Sequence, residues 1–134
     1  TAGARMYKYA DDATATEDGQ CPHNDWVLFR YSDVVLMRAE ALVRNGQSGQ
    51  ADLDEVRNRV GASFAEAPLD ILLKERLLEL AWEGWRRQDL GRFGRFNDAI
   101  TDRPKTEKYL QVFPIHANTL AVNKNLTQNP GYAK

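Results

Sequence analysis

Glu75, Glu79 and Glu83 recur at i, i+4 and i+8, a spacing that stacks three carboxylates along one face of a helix. Carboxylates so placed are able to hold a cation or to divide acid and base work between them. Arg76, Arg86 and Arg87 stand three or four residues from one or another of them, and opposed charges at that spacing favour ordinary ion pairing. The expectation is therefore a charged, structural helix face. The histidines, His23 and His116, lie far apart and form no HxxH, HExxH or Cys-His spacing. The lone cysteine, Cys21, excludes an internal disulfide and a multi-cysteine metal site. Cys21-x-His23-x-Asp25 is one ligand short. GxSxG, GxxxxGK[ST] and GxGxxG do not occur. We expect no catalytic residue, no metal ligand and no cofactor.

Two other side-chain patterns bear on binding. Arg92-Phe93-Gly94-Arg95-Phe96 interleaves cations with rings, but it is short and flanked by Asp89 and Asp98. With a formal net charge of -1 there is no field for nucleic acid or an anionic membrane, so neither partner is expected. Aromatic rings also stack on the apolar faces of sugars. Trp82 and Trp85 have helical spacing and are expected in the core. Trp26 and Tyr109, in looser segments, are the weak ligand-binding candidates, beside Tyr7 and Tyr9.

The elements that must position these residues are mainly helical. The 134 residues, 43% apolar and 28% charged, suit one modest core. Residues 1–29 read as an irregular lead-in, with strand-like WVLFRY at its end. Residues 30–61 read as a helix pair. The first helix is capped by Ser32 and carries Val35, Leu36, Ala39, Leu42 and Val43; the second is capped by Ser48 and carries Ala51, Leu53, Val56 and Val60. The short connection and the small residues Ala39, Ala41 and Ala51 give the pair a tetratricopeptide-like look, and since such units need stacked neighbours, partner helices are expected from elsewhere in a parent chain. Residues 68–91 read as one long helix. Its broad apolar arc includes Leu69, Leu73, Leu77, Leu80, Trp82 and Trp85, and Gly84 in its interior is expected where another backbone or ring packs closely. Residues 92–134 form a long irregular tail, with strand-like YLQVFPI, a helical turn near Thr119 to Val122, and apolar pegs from Tyr109 to Tyr132 expected to wrap it back over the helices.

Three stretches carry a resemblance. They are RYSDVVLMRAEALVRNGQ from Arg30, ERLLELAWEGWRRQDLGRFG from Glu75, and NKNLTQNPGY from Asn123. The middle one resembles the ER-x-x-EL-x-x-EG-x-R-x-x-DL-x-R segment of the SusD/RagB family of glycan-binding outer-membrane lipoproteins, and all three fall in family order. His116 stands where the family commonly has proline. The resemblance implies the carboxy-terminal part of a larger, mainly helical fold with tetratricopeptide-like pairs. It implies non-enzymatic oligosaccharide or polysaccharide capture at the bacterial outer membrane, in partnership with a SusC-type TonB-dependent transporter. The family's lipid anchor is then expected upstream, since Cys21 follows no apolar stretch. On this reading the segment is mainly scaffold. A tetratricopeptide-type protein interaction module is the alternative.

Overall fold

The computed structural model describes residues 8–10, 12–15 and 23–133. Its elements are helical: α1 (Tyr31–Arg44), α2 (Gln50–Arg59), α3 (Leu69–Glu79), α4 (Arg86–Arg92), a 3₁₀ turn (Lys108–Gln111) and α5 (Ala117–Val122). The two strand-like stretches are not strands, and the ladder contact among the described residues is a single bridge between Ile100 and Arg103. No described helix is long and apolar enough to cross a membrane.

The helix pair forms where the apolar stripes predict it, with small shifts at the starts. α1 begins at Tyr31, one residue before the expected Ser32 cap, after an extended Arg30, and Asp33 lies in its first turn. α2 begins after Gly49, while the Ser48 hydroxyl accepts from the Gln50 amide at 3.2 Å. Val35, Leu36 and Ala39 of α1 close on Leu53 and Val56 of α2 and Leu72 of α3, with Val43, Ala67 and Ile71 at the margin. The crossing is tight at Ala39, but its partner is Gly49 rather than Ala41 or Ala51, both of which are exposed. A Cβ on Gly49 would lie 2.7 Å from the Ala39 carbonyl oxygen, against backbone that has no freedom to yield. Gly49→Ala should therefore lower stability by about 1–3 kcal/mol. Gly91 of α4, where an added Cβ meets nothing within 4 Å, is the matched control: Gly91→Ala should gain up to about 1 kcal/mol. Urea unfolding of the two variants checks both signs, and equal midpoints would refute the close crossing.

The expected long helix is two helices joined by an elbow. α3 stops at Glu79, and Trp82 (φ 67°) and Gly84 (φ 82°) then take left-handed backbone that cannot continue a right-handed helix. Gly84 is thus a turn residue, exposed and open on its Cα side, and not the close-packing position its helical register suggested. The carbonyls freed at the end of α3 are taken by cations from the lead-in. The Lys8 ammonium donates to the Glu79 carbonyl at 2.9 Å and the Ala81 carbonyl at 2.8 Å, and the Arg30 guanidinium also donates to the Glu79 carbonyl. The break buries Leu72 and Leu73 but leaves Leu78 and Trp82 exposed, so Trp82 is not a core residue. Trp85 is half-buried, its ring 5.7 Å from that of Phe29.

The tail meets the helices through Arg87, whose guanidinium lies 4.6 Å from the Phe96 ring centre and 4.4 Å from that of Phe113 and donates to the Gln111 carbonyl at 2.9 Å. The intended pegs Val112 and Phe113 remain exposed. Beyond them the tail bonds to itself. Gln128 exchanges two hydrogen bonds with the Ile115 backbone, and the Tyr132 hydroxyl donates to the Val112 carbonyl at 2.7 Å. At His116 the ring Nδ1 accepts from the Asn118 amide at 3.2 Å, so the residue that replaces the expected proline caps α5.

Candidate functional site

The carboxylates that could have done chemistry are consumed in a lattice of ion pairs, and the elbow makes that lattice. Had α3 run on unbroken, Asp89 would stand about 20 Å along the axis from Arg76. Folded back, Asp89 accepts from the Arg76 Nε at 2.9 Å, while Arg76 Nη1 donates to Asp33 of α1, also at 2.9 Å. All three side chains are buried, Arg76 to 1% exposure. Arg92 extends the network. Its guanidinium forks onto Glu40 at 2.9 and 2.8 Å and reaches Asp89 at 2.8 Å, and Arg44 bonds the same Glu40 at 2.8 Å. A second group sits at the far end of α3, where Arg30 spans Glu83 and Glu79 and Arg59 also reaches Glu79 at 2.6 Å. Arg57 pairs with Glu75, and Arg38 forks onto Asp52 at 2.8 and 2.6 Å.

Ion pairing is the outcome expected for Glu75, Glu79 and Glu83, but the partners are not the expected ones. The helix-neighbour arginines are not the partners. Arg86 donates to the Leu73 carbonyl at 3.3 Å and Arg87 goes to the tail. The three carboxylates are largely withdrawn from water. Burial raises the carboxyl pKa of Glu79, and the hydrogen bonds from Arg30 and Ser32 with the charges of Arg30 and Arg59 more than reverse it. The same balance, with Arg30 and Lys8, holds Glu83 below the usual glutamate value. A carboxyl kept ionised by arginine on several sides is a poor proton donor at neutral pH.

The partners missed from sequence, Asp33 and Glu40, carried a readable signal. With Leu36 they fall at i, i+3 and i+7 on one face of α1, so a charge on an apolar face pointed to a buried partner.

The remaining candidates are dispersed. Trp26 is 70% exposed in the lead-in. Tyr109 lies in the 3₁₀ turn with its ring perpendicular to that of Tyr132, the centroids 5.0 Å apart. Cys21 and Tyr7 lie outside the described residues. In the Arg92 to Phe96 stretch the cations are engaged internally: Arg92 as above, Arg95 with Asp98 at 3.2 Å, and Phe93 beneath Arg44 at 4.8 Å. Two clefts flank the elbow. One, of about 410 Å³, is lined by Leu77, Leu80, Trp82, Trp85 and Arg86 among others. The other, of about 420 Å³, includes Lys8, Tyr9, Arg30, Arg59, Glu79 and Glu83. Neither Trp26 nor Tyr109 lines either one.

Arg30, Asp33, Glu40, Arg76, Glu79, Glu83, Asp89 and Arg92 of this lattice all fall in the two longer motif stretches, and the SusD family's sequence profile matches residues 1–132. The chain belongs to the SusD family. Among SusD-family proteins it is 31% identical to the starch-binding protein SusD of Bacteroides thetaiotaomicron over 96% of its own length and 25% of that protein's. Its fold is similar to that of a laminarin-binding SusD-like protein (42% identity, TM-score 0.69, covering 78% of this chain and 23% of the other). It is also similar to surface glycan-binding protein A from Bacteroides thetaiotaomicron (28% identity, TM-score 0.72, 80% and 25%). The chain thus spans about a quarter of the length of these SusD-family relatives.

Proposed function

We propose that this chain is the helical scaffold of a glycan-capture protein that binds without catalysis, working at the bacterial cell surface. The match to the SusD family over residues 1–132 carries the reading, and the names of the relatives, starch-binding, laminarin-binding and surface glycan-binding, set the ligand class. The charge lattice agrees with it, because carboxylates bound up in arginine pairs hold helices and do not cleave bonds. In this reading the protein is a lipid-anchored outer-membrane protein that hands oligosaccharides to a SusC-type TonB-dependent transporter. Where this segment touches sugar, it does so through Trp26, which is exposed, and through the uncovered part of the Tyr109 ring, which packs against Gly131 and Tyr132.

Calorimetry with starch and laminarin oligosaccharides, paired with a reducing-sugar assay, tests this. The chain should release no sugar from either glycan. Binding heat should fall in Trp26→Ala or Tyr109→Ala and persist in Glu79→Gln at a temperature where that variant is folded. Release of product would refute capture without catalysis. Binding lost in folded Glu79→Gln would overturn the division between scaffold and contact.

A further inference from the structure

The elbow between α3 and α4 holds two features that the ion-pair lattice leaves unexplained. Trp82 is the one non-glycine residue with left-handed backbone among the described residues, yet it is 74% exposed. Strained backbone persists where surrounding contacts hold it, and the exposure of Trp82 leaves it few among the described residues. Beside it, Arg86 is half-buried with a single bond, to the Leu73 carbonyl, and no carboxylate pairs with it among the described residues. Burial pulls its pKa below the ordinary arginine value, so an anion brought to it would recover interaction energy. Trp82, Arg86 and the partly exposed Leu77 line one cleft.

We propose that this cleft is the seat on which the rest of a SusD-like fold docks, an apolar side chain of that partner covering Trp82 and Leu77 and a carboxylate reaching Arg86. The relatives supply the partner, since this chain spans only about a quarter of their length. Charge argues against a second copy of the chain. The lining presents Arg86 and Arg87, while its one carboxylate, Asp89, is buried against Arg76 and Arg92. Chemistry argues against a sugar, whose hydroxyls need several free polar groups. Arg76 and Asp89 are bonded to each other, and Arg87 is bonded to the tail.

The test compares two contexts: the chain alone, and a chimaera in which it replaces the matching quarter of the Bacteroides thetaiotaomicron starch-binding protein. Trp82 oxidation by N-bromosuccinimide, read by peptide mass, should be fast in the chain alone and several-fold slower in the chimaera. Trp82→Gly relieves the left-handed backbone, so it should leave or raise the Tm of the chain alone while lowering that of the chimaera by about 2–4 °C. Arg86→Gln gives up the bond to the Leu73 carbonyl in both contexts, so it should lower the Tm of the chimaera further than that of the chain alone. Mixing the chain with the remainder of that relative as a separate polypeptide repeats the oxidation assay should the chimaera not fold. Unprotected Trp82 in both formats overturns the proposal. So does protection in the chain alone that is lost on dilution, which indicates a second copy, and so does protection that requires added maltooligosaccharide, which indicates sugar.

Discussion

Arg76→Ala should cost the chain about 3–5 kcal/mol, the range for removing one partner from a buried ion pair. Arg76 is compensated on two sides, by Asp33 and by Asp89, each at 2.9 Å and each buried. Truncation leaves both carboxylates in a dry site. Asp89 keeps the Arg92 guanidinium, but Asp33 keeps nothing of that kind, since its Oδ2 has no hydrogen-bond partner among the described residues. Domains of this size have net stabilities of only about 5–15 kcal/mol, so the variant should be largely unfolded in mild denaturant. Arg76→Lys should fall between, because a single ammonium cannot reproduce the two directed bonds made by Nε and Nη1. Urea titration followed by circular dichroism measures all three proteins. A loss below about 1 kcal/mol for Arg76→Ala would show that the buried cation does not hold the helices together.

Acid should unfold the chain through its carboxylates. At Glu40, burial raises the pKa, but the bonds and charges of Arg92 and Arg44 outweigh it; Glu79 and Glu83 follow the same pattern with their own partners. At Asp52 the Arg38 bond leads, and the shift is again downward. The unfolded chain regains ordinary values of 4.5 for glutamate and 3.8 for aspartate. Below those values the unfolded state binds more protons than the folded one, so stability is fully present above about pH 5 and is lost as pH falls through 4.5 and on through the folded-state values. Asp52 contributes least, because Arg38 is mostly exposed and its pairing is screened by water. The urea midpoint should be nearly flat from neutrality to about pH 5.5 and then drop steeply, with a shallower drop in Glu40→Gln. A midpoint that rises on acidification would contradict the assignment.

The helix pair was legible because its apolar residues are local and periodic: Val35, Leu36 and Ala39, then Leu53 and Val56, are the residues the core uses. The elbow was not legible. Leu77, Leu80, Trp82 and Trp85 continue the apolar arc of α3 through the break, and Gly84 reads either as a weak helical residue or as a turn. What decides for the turn is distant, namely Lys8 and Arg30 taking the carbonyls at the end of α3 and Arg76 drawing Asp89 back. The ion partners were hidden for a related reason. A one-dimensional pattern offers Arg76 and Arg86 as neighbours of Glu79 and Glu83, whereas Arg30 reaches both from more than three dozen positions upstream. The tail misled in the other direction, since the apolar run YLQVFPI says nothing about whether a surface is near enough to cover it.

The sequence separations in the lattice carry a kinetic consequence. Arg76 meets Asp33 across 43 positions, Arg30 meets Glu79 across 49, and Arg92 meets Glu40 across 52. Each pair must close a long loop before it returns any attraction, and until then the charges are better solvated by water than by one another. The α1 and α2 pair, closed through the short connection Asn45–Gly49, can form early; α3 and α4 gain their partners on α1 only when the whole bundle arrives. Substitutions in the lattice should accordingly act on the rate at which the chain comes apart, leaving the rate at which it comes together almost untouched, so these arginines behave as latches set after assembly.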